Sequence, residues 1–130
     1  MPNRFYLATQ WDRGTQPGVL LEALKAQGWE RTFDWTAKNG GGPDGCADIA
    51  VAEISAVREA DVLIVLLPGG YGTHVEIGVA LASGKPVILH APDRETLNTR
   101  YPCVFHYHPH VKLLISKDLE VEVLLASLPS

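Results

Sequence analysis

Val62-Leu63-Ile64-Val65-Leu66-Leu67 is an unbroken apolar run, preceded by Asp61 and followed by Pro68-Gly69-Gly70-Tyr71-Gly72. A strand with water on one face alternates polar and apolar residues. A strand without polar positions must be covered on both faces, as in the interior of a parallel sheet with helices on either side. The run therefore predicts the middle strand of such a sheet, and its neighbours agree. Ahead of it, residues 47–60 place Ile49, Ala52, Ala56 and Val57 at helical spacing. Behind it, residues 73–83 read as a helix closed by Gly84, and residues 85–90 as another apolar strand. Nearer the start, residues 4–9 read as a strand and residues 17–27 as a helix with Leu20, Leu21 and Leu24 on one face and Gly28 as its C-cap; residues 29–33 read as a second strand. Strands alternating with helices across short loops predict one α/β domain over residues 1–130, a three-layer sandwich around a roughly five-stranded parallel sheet.

The remaining segments are less regular. Residues 34–45 include Asn39-Gly40-Gly41-Gly42-Pro43-Asp44-Gly45, whose glycines and proline penalise regular structure, and predict a surface loop or lid. Residues 92–99 read as a loop or short helix, 103–106 and 112–115 as candidates for the last strand, and 118–127 as a closing helix with Asp118 near its N-cap. A 130-residue chain with 46% hydrophobic and 20% charged residues has an ordinary globular composition. Its net charge of −4 disfavours a nucleic-acid polymer as partner, because phosphate binding needs a basic surface, and points to a small molecule instead. Cys46 and Cys103 stand far apart without metal-ligand spacing, so a reducing, cytoplasmic setting without disulfides or zinc is expected. The N-terminus lacks a signal-like apolar stretch, and no run approaches the roughly 20 residues that span a membrane, so no membrane partner is expected.

Ligands of doubly wound sheets bind beyond the carboxyl ends of the strands. That places the candidate site on the segments 9–14, 34–45 and 68–73. In the last of these, Gly69, Gly70 and Gly72, with Tyr71 between them, permit a tight turn and close backbone approach, and Thr73 opens a helix whose free N–H groups favour an anion. A phosphate or ribose cradle follows, with Glu76 about one turn into the helix, where the dipole favours its ionised form. An ionised carboxylate beside a ribose attacks C1′ or stabilises an oxocarbenium-like transition state. Thr73 and Glu76 equally satisfy the spacing of a capping box, in which they only cap the helix. Trp11 and Trp35 fall on ligand-side segments and offer stacking surfaces for a base, or anchor their loops; Asp34 offers a sugar contact or a loop cap. His74 adjoins the cradle, where it meets a phosphate or is solvated. His106, His108 and His110 alternate as they would along one strand face. Pro109 interrupts them and no acidic or cysteine partner is adjacent, so they predict a surface or subunit-contact strand and no metal site.

The stretch from Ala60-Asp61 through Pro68-Gly69-Gly70-Tyr71-Gly72-Thr73-His74-Val75-Glu76-Ile77-Gly78 to Lys85-Pro86-Val87-Ile88 resembles the core signature of the nucleoside 2-deoxyribosyltransferase family. The resemblance covers most of the first 90 residues. It implies a flavodoxin-like Rossmannoid fold, no cofactor, and transfer or hydrolysis at the N-glycosidic bond of a 2′-deoxynucleoside or nucleoside 5′-monophosphate. It implies Glu76 as nucleophile, Tyr6 in Phe5-Tyr6-Leu7-Ala8 as the residue that orients it, and a homodimer or higher homo-oligomer. Where the family has an aspartate acting at the leaving base, eight positions before Asp61, this chain has Glu53. Where the family usually has Asp or Ser, six before the nucleophile, it has Gly70, so backbone N–H groups must replace a side-chain contact. Pro68-Gly69-Gly70-Tyr71-Gly72-Thr73-His74-Val75-Glu76 also resembles the motif of the Lonely Guy phosphoribohydrolases, whose catalytic arginine lies further upstream than Arg58 does here. A third alternative is a nucleotide-binding module without turnover.

Overall fold

The computed structural model describes residues 3–10, 16–34, 42–98 and 100–129; Trp11 and Trp35 lie outside the described residues. The elements in chain order are β1 (Asn3–Thr9), α1 (Gln16–Ala26), β2 (Trp29–Arg31), α2 (Gly42–Glu59), β3 (Val62–Leu66), α3 (Tyr71–Ala82), β4 (Val87–Ala91), α4 (Arg94–Leu97), β5 (Val111–Ile115) and α5 (Val121–Ala126). The strands form one sheet in the order β2-β1-β3-β4-β5. Every pairing is parallel. This is the flavodoxin-like winding, which reverses direction between β1 and β3. As its composition demands, β3 is buried along its whole length at the centre.

Side chains of successive strand residues point to opposite faces, and two apolar cores result. Tyr6, Ala8, Leu63, Val65, Val87 and Leu89 pack with Ala56, Val57 and Ala60 of α2 and its end and with Ile77 and Ala80 of α3. Phe5, Leu7, Val62, Ile64 and Ile88 pack on the other face with Leu20 and Leu24 of α1 and Leu124 of α5. Gly28 and Gly84, at φ +85 and +72, end α1 and α3 in the left-handed conformation that glycine adopts without steric cost.

Several boundaries depart from expectation, among them the start of α3, at Tyr71 rather than Thr73. Residues 42–45 belong to α2 rather than to the loop, because Pro43 falls in the first helical turn, where its missing N–H is not needed. Residues 104–107 form a 3-10 turn rather than a strand, and the last strand starts only at Val111, after Pro109, which cannot donate to a ladder. His106, His108 and His110 therefore do not share a strand face. The closing helix is capped at Glu120 instead of Asp118, whose carbonyl accepts a hydrogen bond from Ser116 Oγ at 2.7 Å.

Candidate active site

Along α3 the buried positions are Thr73, Glu76, Ile77 and Ala80, a stripe at helical spacing that faces the sheet. Glu76 thus occupies a position the periodicity reserves for an apolar side chain. Glu53 stands in the same relation to α2, three, four and seven residues before the buried Ala56, Val57 and Ala60. Tyr6 is directed from β1 toward the same face and is wholly buried. Three polar groups from three elements therefore meet at the ligand end of one core, next to the winding reversal between β1 and β3.

The Tyr6 hydroxyl donates a hydrogen bond to Glu76 Oε2. The Glu53 and Glu76 carboxyls lie close enough to share a hydrogen bond, which pushes the Glu76 pKa up and pulls that of Glu53 down. Burial pushes Glu76 up to about 8, from an ordinary value of 4.5. Tyr6 donation opposes the shift, and the Glu53 charge and hydrogen bond add to it. Burial also raises Glu53, against the pull of its bond to Glu76. Tyr6 itself is driven far above the usual phenol range, first by burial and then by the Glu76 charge, so it acts as a fixed donor. The expectation that the helix dipole keeps Glu76 ionised is reversed in the free site. An 8% exposed carboxylate loses more hydration than the dipole and one phenol donor return.

The capping-box alternative is also resolved. The N-cap of α3 is Gly70, in extended conformation and without a side-chain cap, and Glu76 turns inward to Tyr6 instead of back along the helix. Among the described residues no side chain caps the start of α3, and Gly70, Gly72 and Thr73 line a cavity of about 270 Å³ together with Glu76, Glu53, Thr9 and Gln10. Thr9 Oγ1 donates to the Leu66 carbonyl at 2.9 Å, tying β1 to β3 at the cavity.

Gly69 is required on steric grounds. A Cβ there would lie 2.6–2.8 Å from the Thr73 side chain, whereas one on Gly70 or Gly72 would meet nothing within 4 Å.

Of the other expected residues, Tyr71 is 96% exposed and is not among the residues lining this cavity. Asp34 is exposed at the end of β2, pairs with Arg31 at 3.4 Å, and is not among the lining residues. Thr9 and Gln10 were within a suspected segment but carried no motif of their own. The signal that marks them is structural, the end of the strand next to β3. A second, larger cavity of about 540 Å³ lies on the other side of the glycine turn, lined by Pro68, Gly69, His74, Asp93, Glu95, Cys103 and His106, among others.

Residues 5–123 match the family model for nucleoside 2-deoxyribosyltransferase. No curated protein gives a sequence match. Among solved structures the chain is similar to the CMP N-glycosidase BcmB of Clostridium botulinum, with 26% identity and a TM-score of 0.68 over 97% of this chain and 100% of that one. It is similar to a 2-deoxyribosyltransferase of Bacillus psychrosaccharolyticus, with 22% identity and a TM-score of 0.55 over 68% of this chain and 72% of that one. A de novo designed Rossmann 2x3 protein shares 17% identity and a TM-score of 0.59 over 97% of this chain and 87% of that one. The last two likenesses speak for the fold alone.

Proposed function

The chain belongs to the nucleoside 2-deoxyribosyltransferase family, whose members are enzymes that cleave or transfer N-glycosidic bonds, and from that premise we propose that it acts on a nucleoside 5′-monophosphate with Glu76 as nucleophile. The observation that carries this reading is the buried Tyr6–Glu76 pair, with half-buried Glu53 beside it, opening onto the uncapped start of α3. The unshielded N–H groups at Gly72 and Thr73 suit an anionic substrate group. Likeness to a CMP N-glycosidase along the whole of both chains supports the monophosphate and the hydrolytic outcome over transfer between free nucleosides.

The chemistry follows from one shared proton. Substrate binding moves it from Glu76 to Glu53, which creates a nucleophile and a general acid in a single transfer. The Glu76 carboxylate, held through Oε2 by Tyr6, attacks C1′ while the C1′–N bond breaks and Glu53 protonates the departing base. Water, or an acceptor base in a transferase, then attacks C1′ of the glycosyl ester with Glu53 as general base, and Glu76 leaves as carboxylate. Glu53 in place of the family's aspartate still reaches Glu76, which supports turnover over a binding module. Arg58 is exposed on the last turn of α2 and lines neither cavity described above, which disfavours the phosphoribohydrolase alternative.

Free thiols at Cys46 and Cys103 suit a cytoplasmic protein, and no helix among the described residues is long and apolar enough to cross a membrane. Exposed Tyr71 and Val75, one turn apart on α3, and Val104 and Phe105, brought near by the His74–His106 contact, supply an apolar face for a second copy of the chain. Light scattering that gives a monomer would refute that assembly.

The test of function is chromatography of ribo- and deoxyribonucleosides and their 5′-monophosphates incubated with the protein, with and without an acceptor base. Free base released from a monophosphate, absent with Glu76→Ala, is expected. Exchange of base between nucleosides would favour the transferase reading, and binding without turnover across the panel would favour the module.

A further inference from the structure

His74, Cys103 and His106 come from the first turns of α3 and from the 3-10 turn after residue 100, and their ligand atoms lie within 4.8 Å of one another. His74 Nδ1 donates to the Gly70 carbonyl at 2.8 Å, since a carbonyl only accepts. That bond fixes the tautomer and leaves the Nε2 lone pair exposed toward His106, whose Nε2 is 3.0 Å away. A hydrogen bond from the far nitrogen to a backbone carbonyl is the usual way a metal-ligating histidine is oriented.

His106 is 3% exposed; in the ion-free protein its Nε2–H donates to the His74 Nε2 lone pair, and its Nδ1 has no hydrogen-bond partner among the described residues. With Nδ1 protonated instead, two lone pairs face each other across 3.0 Å, an arrangement a cation between them would relieve. Two nitrogens bound tetrahedrally at the usual zinc distance stand about 3.3 Å apart, close to the separation found. Asp93 and Glu95 line the same cavity and add an attraction for cations.

We propose that His74, Cys103 and His106 bind one zinc-class divalent cation, with a fourth position open to the cavity. Thiolate with imidazole selects a borderline-soft ion over magnesium or calcium. The bound ion would tie the 3-10 turn to the start of α3, whose Gly70 carbonyl already holds His74 and whose other face lines the glycosidic site. This site stands apart from the proposed reaction and holds whether or not that reading does.

The test uses the full chain freed of metal by chelation and titrated with Zn2+ or Co2+. The expected result is one ion per chain, a thiolate-to-cobalt charge-transfer absorption, and a melting temperature raised by the ion. Cys103→Ser should abolish the charge-transfer band. His106→Gln should weaken binding at least as much as the roughly 10–100-fold typical of second-shell losses. The double substitution His108→Ala with His110→Ala, outside the cluster, should retain stoichiometry and band. Wild type with neither band nor thermal shift at stoichiometric metal, or binding lost with the His108/His110 pair, overturns the proposal, and both readouts stand even if one cluster variant fails to fold.

Discussion

Replacing Glu76 by glutamine keeps the shape of the side chain and removes its ionisation. The amide oxygen still accepts from Tyr6, and the amide nitrogen donates to Glu53 in place of the carboxyl proton. The folded-state pKa of Glu76 is raised from 4.5 to about 8, so between those values the folded protein holds a proton that the unfolded chain has released. Its contribution to stability is complete below pH 4.5, falls as pH rises, and is lost above about 8. The slope approaches about 1.4 kcal/mol per pH unit, and over the window the loss reaches on the order of 5 kcal/mol. Glu53, also raised, adds in the same direction.

Glu76→Gln lacks the larger part of this slope. It should match wild type near about pH 5 and exceed it in stability by several kcal/mol near about pH 9. Urea unfolding of both proteins across that range measures the difference. A wild-type-to-variant gap that stays constant with pH would refute the account of a buried, proton-bearing Glu76.

Three further substitutions test the same site. Tyr6→Phe removes a donor to a buried carboxylate, a loss of about 1.5–3 kcal/mol, and should lower kcat by roughly 10- to 100-fold while moving the Glu76 titration upward; an unchanged rate would dismiss Tyr6 as the orienting residue. The proposed mechanism needs one proton in the carboxyl pair, so kcat/KM should be bell-shaped in pH with an alkaline limb near 8, and Glu53→Gln should distort that profile as well as lower the rate. Gly69→Ala forces its methyl into Thr73 and should cost about 1–3 kcal/mol in thermal or urea unfolding. Gly70→Ala meets open space, should leave stability within about 0.5 kcal/mol, and should weaken substrate binding instead.

Much of this architecture was legible in the chain because burial writes itself into composition. The apolar run of β3 had to be central, and Gly28 and Gly84 marked helix ends that only a left-handed residue could close. The glycine turn and Glu76 were likewise legible from their residue types and spacing, whereas Tyr6 and Glu53 were named only through the family resemblance. What pattern could not supply was proximity between distant segments. Whether Thr73 and Glu76 capped a helix or served a site depended on where the side chain turned, and that was decided by Tyr6, 70 residues away. The protonation of Glu76 depended on burial beneath α2 and β1, whereas the sequence offered only the local dipole. The histidines show the same limit. Read in line, His106 belonged with His108 and His110 and lacked a cysteine partner. Folding sets it instead against His74, 32 residues earlier, and near Cys103. Local propensity and periodicity determined the elements, and packing in three dimensions alone decided which polar groups share one desolvated space and therefore one proton.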